Sequence, residues 1–439
     1  MFASSFRLDL NIIVGPRKPG HIKTILSGHL PILIDYSYRY RPRDIITGSA
    51  IWRMHAALGH RDRVREITFE GFDLIFGNFI KATSYHFPAL ESLHLWFPRG
   101  HEPEIPATFL RGPDQSDLRL RRLTLHDGSL ASVSGLLLSA TALTVLTLSL
   151  TPTNAAVFDP SQGSFLLACL RGMQCLRSLD LSTELDPRDL PSQDSTPKDI
   201  VPLLKLTRFH YYGPTTFLNS FMSGLSAPSL QDARLVLDSK SPLFYLSRVI
   251  DDVREEFRSV SVSFDMDHFF LVSSTHLGEI DHVDRFKKPS FRFNVNCSHY
   301  STNSINSTPS TKLAMAEELT LNHFPSSNIT NWDDLFSFPE FLRQFRSVRV
   351  LRLNPFMREV GLCLQQDDGE AILPVLEEIE LSILRLTNYS DEEYQRRVAE
   401  ALAAFEPCER AGRLVKVYHC EQTQMRYRNA RGGQWIYEL

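Results

Sequence analysis

A six-residue phrase recurs along this chain: an apolar residue, two spacers, an apolar residue, one spacer and a closing apolar residue. Clear copies place Leu90, Leu93 and Leu95; Leu120, Leu123 and Leu125; Leu143, Leu146 and Leu148; Leu176, Leu179 and Leu181; Val348, Leu351 and Leu353; and Leu376, Ile379 and Leu381. The last two apolar residues of each copy alternate with one spacer, so their side chains share one face of a short strand. The first apolar residue approaches the same side from the preceding turn. One unit of this kind cannot bury its apolar face alone, whereas neighbouring copies form a parallel sheet over a continuous core. Each fully buried leucine stabilises by roughly 1.5–3 kcal/mol, so one phrase is minor and a full array is decisive.

Weaker copies fill the gaps. They end at Phe69, Tyr211, Leu235, Val262 and Leu321, and the alternation Phe291, Phe293, Val295 supplies another strand with Phe293 as its closing residue. The closing residues are then Phe69, Leu95, Leu125, Leu148, Leu181, Tyr211, Leu235, Val262, Phe293, Leu321, Leu353 and Leu381, with gaps of 23 to 33 residues. Leucine-rich repeats run roughly 20–29 residues, so this array is long and irregular, and the asparagine that usually follows the phrase is missing. The expected fold is α/β: a leucine-rich-repeat solenoid or horseshoe, with a parallel sheet on the concave face and helices on the convex face. Helical stripes are expected over residues 163–172, 217–225, 243–257 and 332–345. The strongest is 391–405, capped by Ser390, acidic in its first turn, and carrying Val398, Ala401, Leu402 and Phe405 on one face. Residues 414–418 read as a last strand. The expected organisation is capping strands and a helix over 1–60, repeats over 61–385, and a capping helix and strand over 386–439. Short apolar strands at 6–10 and 30–34 and a helix at 46–58 extend the sheet ahead of the first repeat, so the chain is expected to start inside structure.

At 439 residues with 43% hydrophobic content and 10% aromatics, the chain supports a large core. A net charge of −4 argues against nucleic-acid binding through a basic field. The local runs Arg61, Arg63, Arg65 and Arg119, Arg121, Arg122 read as solvated faces. The six cysteines form no C-x-x-C pair and suit a reducing compartment, cytoplasmic or nuclear. Arg7 and Asp9 interrupt any signal-peptide core, and no apolar run is long enough to span a membrane. The sequons at Asn296, Asn306, Asn328 and Asn388 are read as chance. Residues 99–117, 151–163, 183–199 and 298–311 read as loops inserted between repeats.

No catalytic constellation stands out: there is no G-x-S-x-G, phosphate-binding loop, G-x-G-x-x-G or H-E-x-x-H. No catalytic residue, cofactor or metal is expected. Cys169 with Cys175, or His276 with His282, read as core thiols and surface imidazoles, and Asp265, Asp267 and His268 make only a weak metal candidate. Binding chemistry is easier to place. The spacer before the closing apolar residue and the residue after it face the concave surface. Thr68, Glu70, Thr124, Thr147, Ser149, Ser182, Asn354 and Ser382 occupy such positions. The partner-binding candidates, at the same kind of position, are His94, Trp96, His126, Asp180, His210, Tyr212, Arg352 and Glu380. Trp, Tyr and Arg are enriched in binding hot spots, and the competing reading packs Trp96 and Tyr212 under an adjacent loop.

The run from Phe2 to Leu10, the strand from Leu30 to Ile34, the segment from Leu58 to Ile67, and the phrases Phe87 to Leu93 and Ala401 to Glu406 resemble fungal F-box proteins with divergent leucine-rich repeats. The resemblance implies a non-enzymatic substrate receptor. In that family an N-terminal F-box docks on the Skp1 adaptor of a cullin ubiquitin ligase, and the repeats present a protein substrate. No Leu-Pro-x-Glu opening of an F-box appears here, so the alternative is a free-standing repeat scaffold or an F-box-free paralogue without a ligase link. The expected partner is a protein on the concave face, with no nucleic acid and no membrane. If the phrase builds the core, Leu146→Asp buries an unpaired charge and costs more than about 3 kcal/mol. A thermal melt unchanged from wild type would contradict the repeat assignment.

Overall fold

The structure, a computed structural model, describes residues 6–9, 31–36, 55–70, 73–97, 105–106, 109–110, 119–151, 161–183, 200–237, 246–264, 268–274, 291–297, 310–323, 338–354, 358–365, 372–385 and 390–421. They fall into two compact units, Met1–Leu230 and Gln231–Leu439. Expectations on residues 46–54, 332–337 and most of the four inserted loops lie outside the described residues.

The first unit is α/β. Its strands are β1 (Phe6–Asp9), β2 (Ile32–Tyr36), β3 (Val64–Glu70), β4 (Ser92–Trp96), β5 (Arg122–Gly128), β6 (Val145–Leu150), β7 (Ser178–Thr183), β8 (Val201–Pro202), β9 (Arg208–Gly213) and β10 (Leu225–Ser226). Its helices are α1 (Asp73–Ala82), α2 (Leu130–Ser139), α3 (Ser161–Leu170) and α4 (Thr215–Ser223). β1 to β7 and then β9 pair in sequence order, every pair parallel, while β8 and β10 make a separate short parallel bridge. The phrase sets the register. Ile67, Leu93, Leu123, Leu146, Leu179 and Phe209 form one cross-strand row, and Phe69, Leu95, Leu125, Leu148, Leu181 and Tyr211 form the next. No side chain in either row is more than 2% exposed.

The two spacers between the first and second apolar residues carry the connection between copies. The carbonyl of Glu91 accepts from the N–H groups of Arg121 (2.9 Å) and Arg122 (3.0 Å). The Arg121 carbonyl accepts from Thr144 and Val145, that of Thr144 from Arg177 and Ser178, and that of Arg177 from Thr207 and Arg208. Just upstream, the first apolar residue donates its N–H to a buried apolar residue three positions earlier: Leu90 to Phe87, Leu143 to Ala140, Leu176 to Met173 and Leu206 to Leu203. These four copies therefore enter their strands through a closed turn, which satisfies backbone groups that burial would otherwise strand.

Helices cover the apolar side. Ser129 caps α2 by accepting from the Ser132 N–H, and Leu130, Val133, Leu136 and Leu137 are its buried stripe. α3 packs beside both α2 and α4. Under α1, the Phe69 ring stacks on Phe79 at 4.2 Å and meets Phe76 edge-on. Asp127, at φ +59°, shifts the register at the end of β5, and Gly128 then lies so close to the Phe97 ring that a Cβ there would stand 2.9 Å from it.

The second unit contains β11 (Asp232–Leu237), α5 (Leu246–Asp252), β12 (Ser259–Phe264), β13 (His268–Ser274), β14 (Phe291–Cys297), α6 (Thr311–Ala314), β15 (Glu318–His323), α7 (Phe338–Leu342), β16 (Val350–Asn354), α8 (Arg358–Cys363), β17 (Glu378–Arg385), α9 (Asp391–Arg410) and β18 (Leu414–Glu421). Val260, Leu319, Leu351 and Ile379 form one apolar row, and Val262, Leu321, Leu353 and Leu381 the next, all fully buried. The forked hydrogen bonds recur: the carbonyls of Arg258, Glu317 and Arg349 each accept two N–H groups from the next copy.

Three expectations need correction in this unit. The strand order is β11-β14-β13-β12-β15-β16-β17-β18, so the strand bearing Phe291 and Phe293 does not follow the Val262 strand in the stack. Instead β13, which runs antiparallel to both β12 and β14, sits between them. No leucine stands at the first position of a phrase ahead of Phe291; β14 pairs parallel with β11, Phe293 beside Ala233 and Val295 beside Leu235, and the Phe269–Val272 run pairs with its other edge. The second correction concerns α9. It runs to Arg410, Ser390 caps it as expected, and its buried stripe is Tyr394, Ala401, Ala404, Phe405 and Cys408, while Leu402 is exposed. The third is that the helix expected over 243–257 ends at Asp252, as α5.

Gly213, at φ +146°, closes β9, and a Cβ there would stand 2.2 Å from Thr183 Oγ1 and 2.8 Å from Tyr211 Oη. The Tyr211 hydroxyl donates to the Pro214 carbonyl at 2.8 Å and shares a 3.2 Å hydrogen bond with Thr183. Gly213→Ala is expected to cost about 1–3 kcal/mol, read as a lowered urea midpoint. An unchanged midpoint would show that this corner tolerates a side chain.

Candidate functional site

The sheet face of the first unit opposite the helices is polar, and register arranges it in rows. One row holds Asp35, Thr68, His94, Thr124, Thr147, Asp180 and His210. Toward the strand ends a second row begins with Glu70, Trp96 and His126 and continues with Ser149, Ser182 and Tyr212. The Trp96 indole and the His126 imidazole stack with centroids 3.9 Å apart and planes 20° apart. Both rings are half-buried, whereas Tyr212 is 52% exposed. Asp180 Oδ2 lies 3.9 Å from His210 Nδ1 on the neighbouring strand. The structure thus brings His94, Trp96 and His126 together on β4 and β5, and Asp180, His210 and Tyr212 together on β7 and β9, with β6 between the two groups.

Arg352 and Glu380 belong to the second unit and are already engaged with each other. Arg352 Nε donates to Glu380 Oε2 at 2.6 Å, and its Nη1 donates to Glu318 Oε2 at 2.8 Å. Burial works against the charge on Arg352, but these two hydrogen bonds outweigh it and hold the guanidinium protonated beyond its ordinary range. Glu318 is only 7% exposed, and Ser259, Ser261 and Thr320 on the same sheet face are buried as well. Lys416 pairs with Glu378, and the Tyr418 hydroxyl donates to Glu380 at 3.5 Å. Sequence reasoning found Arg352 and Glu380 but missed Glu318, Glu378 and Lys416. The signal was present, because register places Glu380 beside Arg352 on one strand and Lys416 on the other.

A margin of exposed ion pairs runs along the first spacer: Arg65 with Glu91 at 2.8 Å and Arg349 with Glu377 at 2.7 Å. Such pairs contribute little. The Cys169 thiol is pushed up to about 11 by burial, which makes it a poor metal ligand. Asp265, Asp267, His276 and His282 lie outside the described residues. Among the described residues, no three His, Cys, Asp or Glu side chains gather as a metal centre requires. Nor is any described helix long and apolar enough to cross a membrane.

The ion-pair cluster generates two expectations. Arg352→Ala leaves Glu318 buried without its guanidinium and should cost about 3 kcal/mol, read as a fall in Tm. The Glu378 carboxyl is held below the usual carboxylate range, first by its hydrogen bond from Lys416, with burial opposing and the Arg352 charge assisting. Its folded pKa lies below the unfolded value near about 4.3, so its contribution is complete above that pH and is lost as pH falls through the folded value. Lys416→Met should therefore flatten the acid side of the Tm–pH curve, and a curve as steep as wild type would remove Glu378 from the acid response. In comparisons with known proteins, neither a protein-family model nor a curated protein matches the chain.

Proposed function

We propose that the chain is a non-enzymatic protein-binding domain whose units are leucine-rich-repeat stacks, the sheet lining a concave face and the helices a convex one. The observation that carries this reading is the exposed Tyr212 and the Trp96–His126 stack on the sheet face opposite the helices. Aromatic side chains fixed on paired strands lose little conformational entropy on binding and supply large contact area, which is the character of interface hot spots. In the first unit, the rows of half-buried and exposed side chains on that face offer a broad surface that suits a polypeptide better than a small substrate. The resemblance to fungal F-box proteins supports a narrower form of the reading: the recognition part of a ubiquitin-ligase substrate receptor, working in the cytoplasm or nucleus.

Affinity purification of the tagged chain from its native cells, with mass spectrometry of wild type beside Trp96→Ala and Tyr212→Ala, tests both forms. The expected result is a set of proteins that wild type captures and the two folded variants lose. Equal capture by all three rejects the face. Recovery of Skp1 and cullin supports the ligase form, and variant-sensitive prey without the adaptor makes the chain an interaction scaffold and retires the ligase link.

A further inference from the structure

The first spacers lie on the margin where the strands begin, and the forked hydrogen bonds place successive ones side by side. In the second unit these residues run Arg258, Glu317, Arg349 and Glu377, and the arginines meet neighbouring glutamates, Arg258 with Glu317 at 4.0 Å and Arg349 with Glu377 at 2.7 Å. The first unit begins the same way, with Arg65 on Glu91 at 2.8 Å. It then continues as Arg121, Thr144, Arg177 and Thr207. Threonine thus stands at the starts of β6 and β9 where the alternation elsewhere has glutamate. Each threonine hydroxyl turns to the backbone, Thr144 Oγ1 donating to the Arg121 carbonyl and Thr207 Oγ1 to that of Arg177, both at 3.0 Å. Arg121 and Arg177 are exposed, as is Arg208 at the start of β9, and among the described residues none of the three makes an ion pair.

A run of arginines is by itself a solvated face; here the neighbours set it apart. We infer that this margin docks an acidic segment of a partner protein, whose carboxylates take the places that glutamates fill beside Arg65 and Arg349. The inference rests on the protein-binding reading above and adds a second surface to it. A guanidinium offers a planar N–H fork that matches a carboxylate. Arg121 and Arg177 lead into β5 and β7, with β6 between them. At about 4.8 Å per strand spacing their backbones stand roughly 10 Å apart, which an extended segment covers in about three residue rises. A short run of glutamate or aspartate laid across the starts of β5, β6 and β7 therefore reaches both guanidinium groups, and Arg208 extends the site. Two observations favour a carboxylate-bearing polypeptide over a nucleic acid. Carboxylate is what the same position takes elsewhere in this chain, and a net charge of −4 gives no long-range pull on a strand of phosphates.

The probe is a fluorescent glycine–serine peptide with a run of about four glutamates, enough to span the gap. Anisotropy at low and high salt compares it with the same peptide carrying glutamines and with a single-stranded thymidine oligonucleotide. The glutamate peptide is expected to bind best and to weaken as salt rises. Because each pair is exposed, Arg121→Gln or Arg177→Gln should weaken it about threefold and the double variant about tenfold. Arg349→Gln, at a position that has its own glutamate, should leave it unweakened. Thr144→Glu returns the missing carboxylate to the chain and should reduce binding to the level of the glutamine peptide. Ala131→Glu, the same change of charge at an exposed position of α2, should not. Thermal melts show that each variant is folded. Equal binding of the glutamine peptide, oligonucleotide binding as tight as that of the glutamate peptide, or one affinity for wild type, the double variant and Thr144→Glu overturns the inference. If the margin fails in this way while native partners still depend on Trp96 and Tyr212, only the margin falls. If native capture ignores the substitutions on both surfaces, the protein-binding reading falls with it.

Discussion

The forked hydrogen bond at the first spacer of seven phrases organises much else in these two units. One carbonyl, that of Glu91 or Thr144 or Arg349, takes two N–H groups from the following copy. This fixes where the next strand begins. Because side chains alternate along a strand, a slip of one residue would move every leucine to the polar face. The fork and the apolar rows therefore reinforce one another. The fork sets the register, and burial of Leu93, Leu123, Leu146 and Leu179 in one line makes any other register costly. The closed turn upstream, with Phe87, Ala140 or Met173 buried three residues before the first leucine, delivers the chain to the fork with its backbone polar groups satisfied.

Segregation of the two sheet faces follows. Once the core side is given to leucine and phenylalanine, the other side is free to vary without disturbing the stack, and the two units use that freedom differently. In the first, it carries the Trp96–His126 stack and an exposed Tyr212 over threonines and serines. In the second, Arg352 is locked between Glu318 and Glu380, and Ser259, Ser261 and Thr320 are buried beside them. A guanidinium held by two carboxylates is a poor candidate for a partner's carboxylate, so the binding proposal leans on the first unit. Tyr418 and Lys416 extend the second unit's network onto β18.

Much of the strand layout was legible because L-x-x-L-x-L demands a strand wherever it occurs. Ser390 with Asp391, Glu392 and Glu393 announced α9 through end effects that act within one turn. What escaped was set by context outside the phrase. α1 and α2 carry Phe76, Phe79, Ile80 and Leu130, Val133, Leu136, Leu137 at helical spacing, but each lies in the short interval between successive copies, where the phrase itself predicts no element. β13 was missed because an antiparallel strand needs no fork and so leaves no phrase. The placement of Leu402 failed because a stripe of Val398, Ala401 and Phe405 tolerates either neighbour, and tertiary packing chose Tyr394 and Cys408. At the candidate site, sequence offset identified the outward positions correctly as positions, but whether such a residue is exposed or ion-paired depends on the adjacent strands. That is why Tyr212 and Arg352, read alike in sequence, differ in the fold.

The central claim is that the sheet face opposite the helices, in the first unit, is where another polypeptide sits. The most direct measurement places a photo-activatable crosslinking residue at Ser182, between His126 and Tyr212 in the row, and at Leu138, exposed on α2, and compares the products formed in native cells. The account predicts protein adducts from position 182 whose crosslinked peptides map to one segment of the partner, with none of these from position 138. Adducts of the same proteins from position 138 alone would contradict it and move the interface to the helical side.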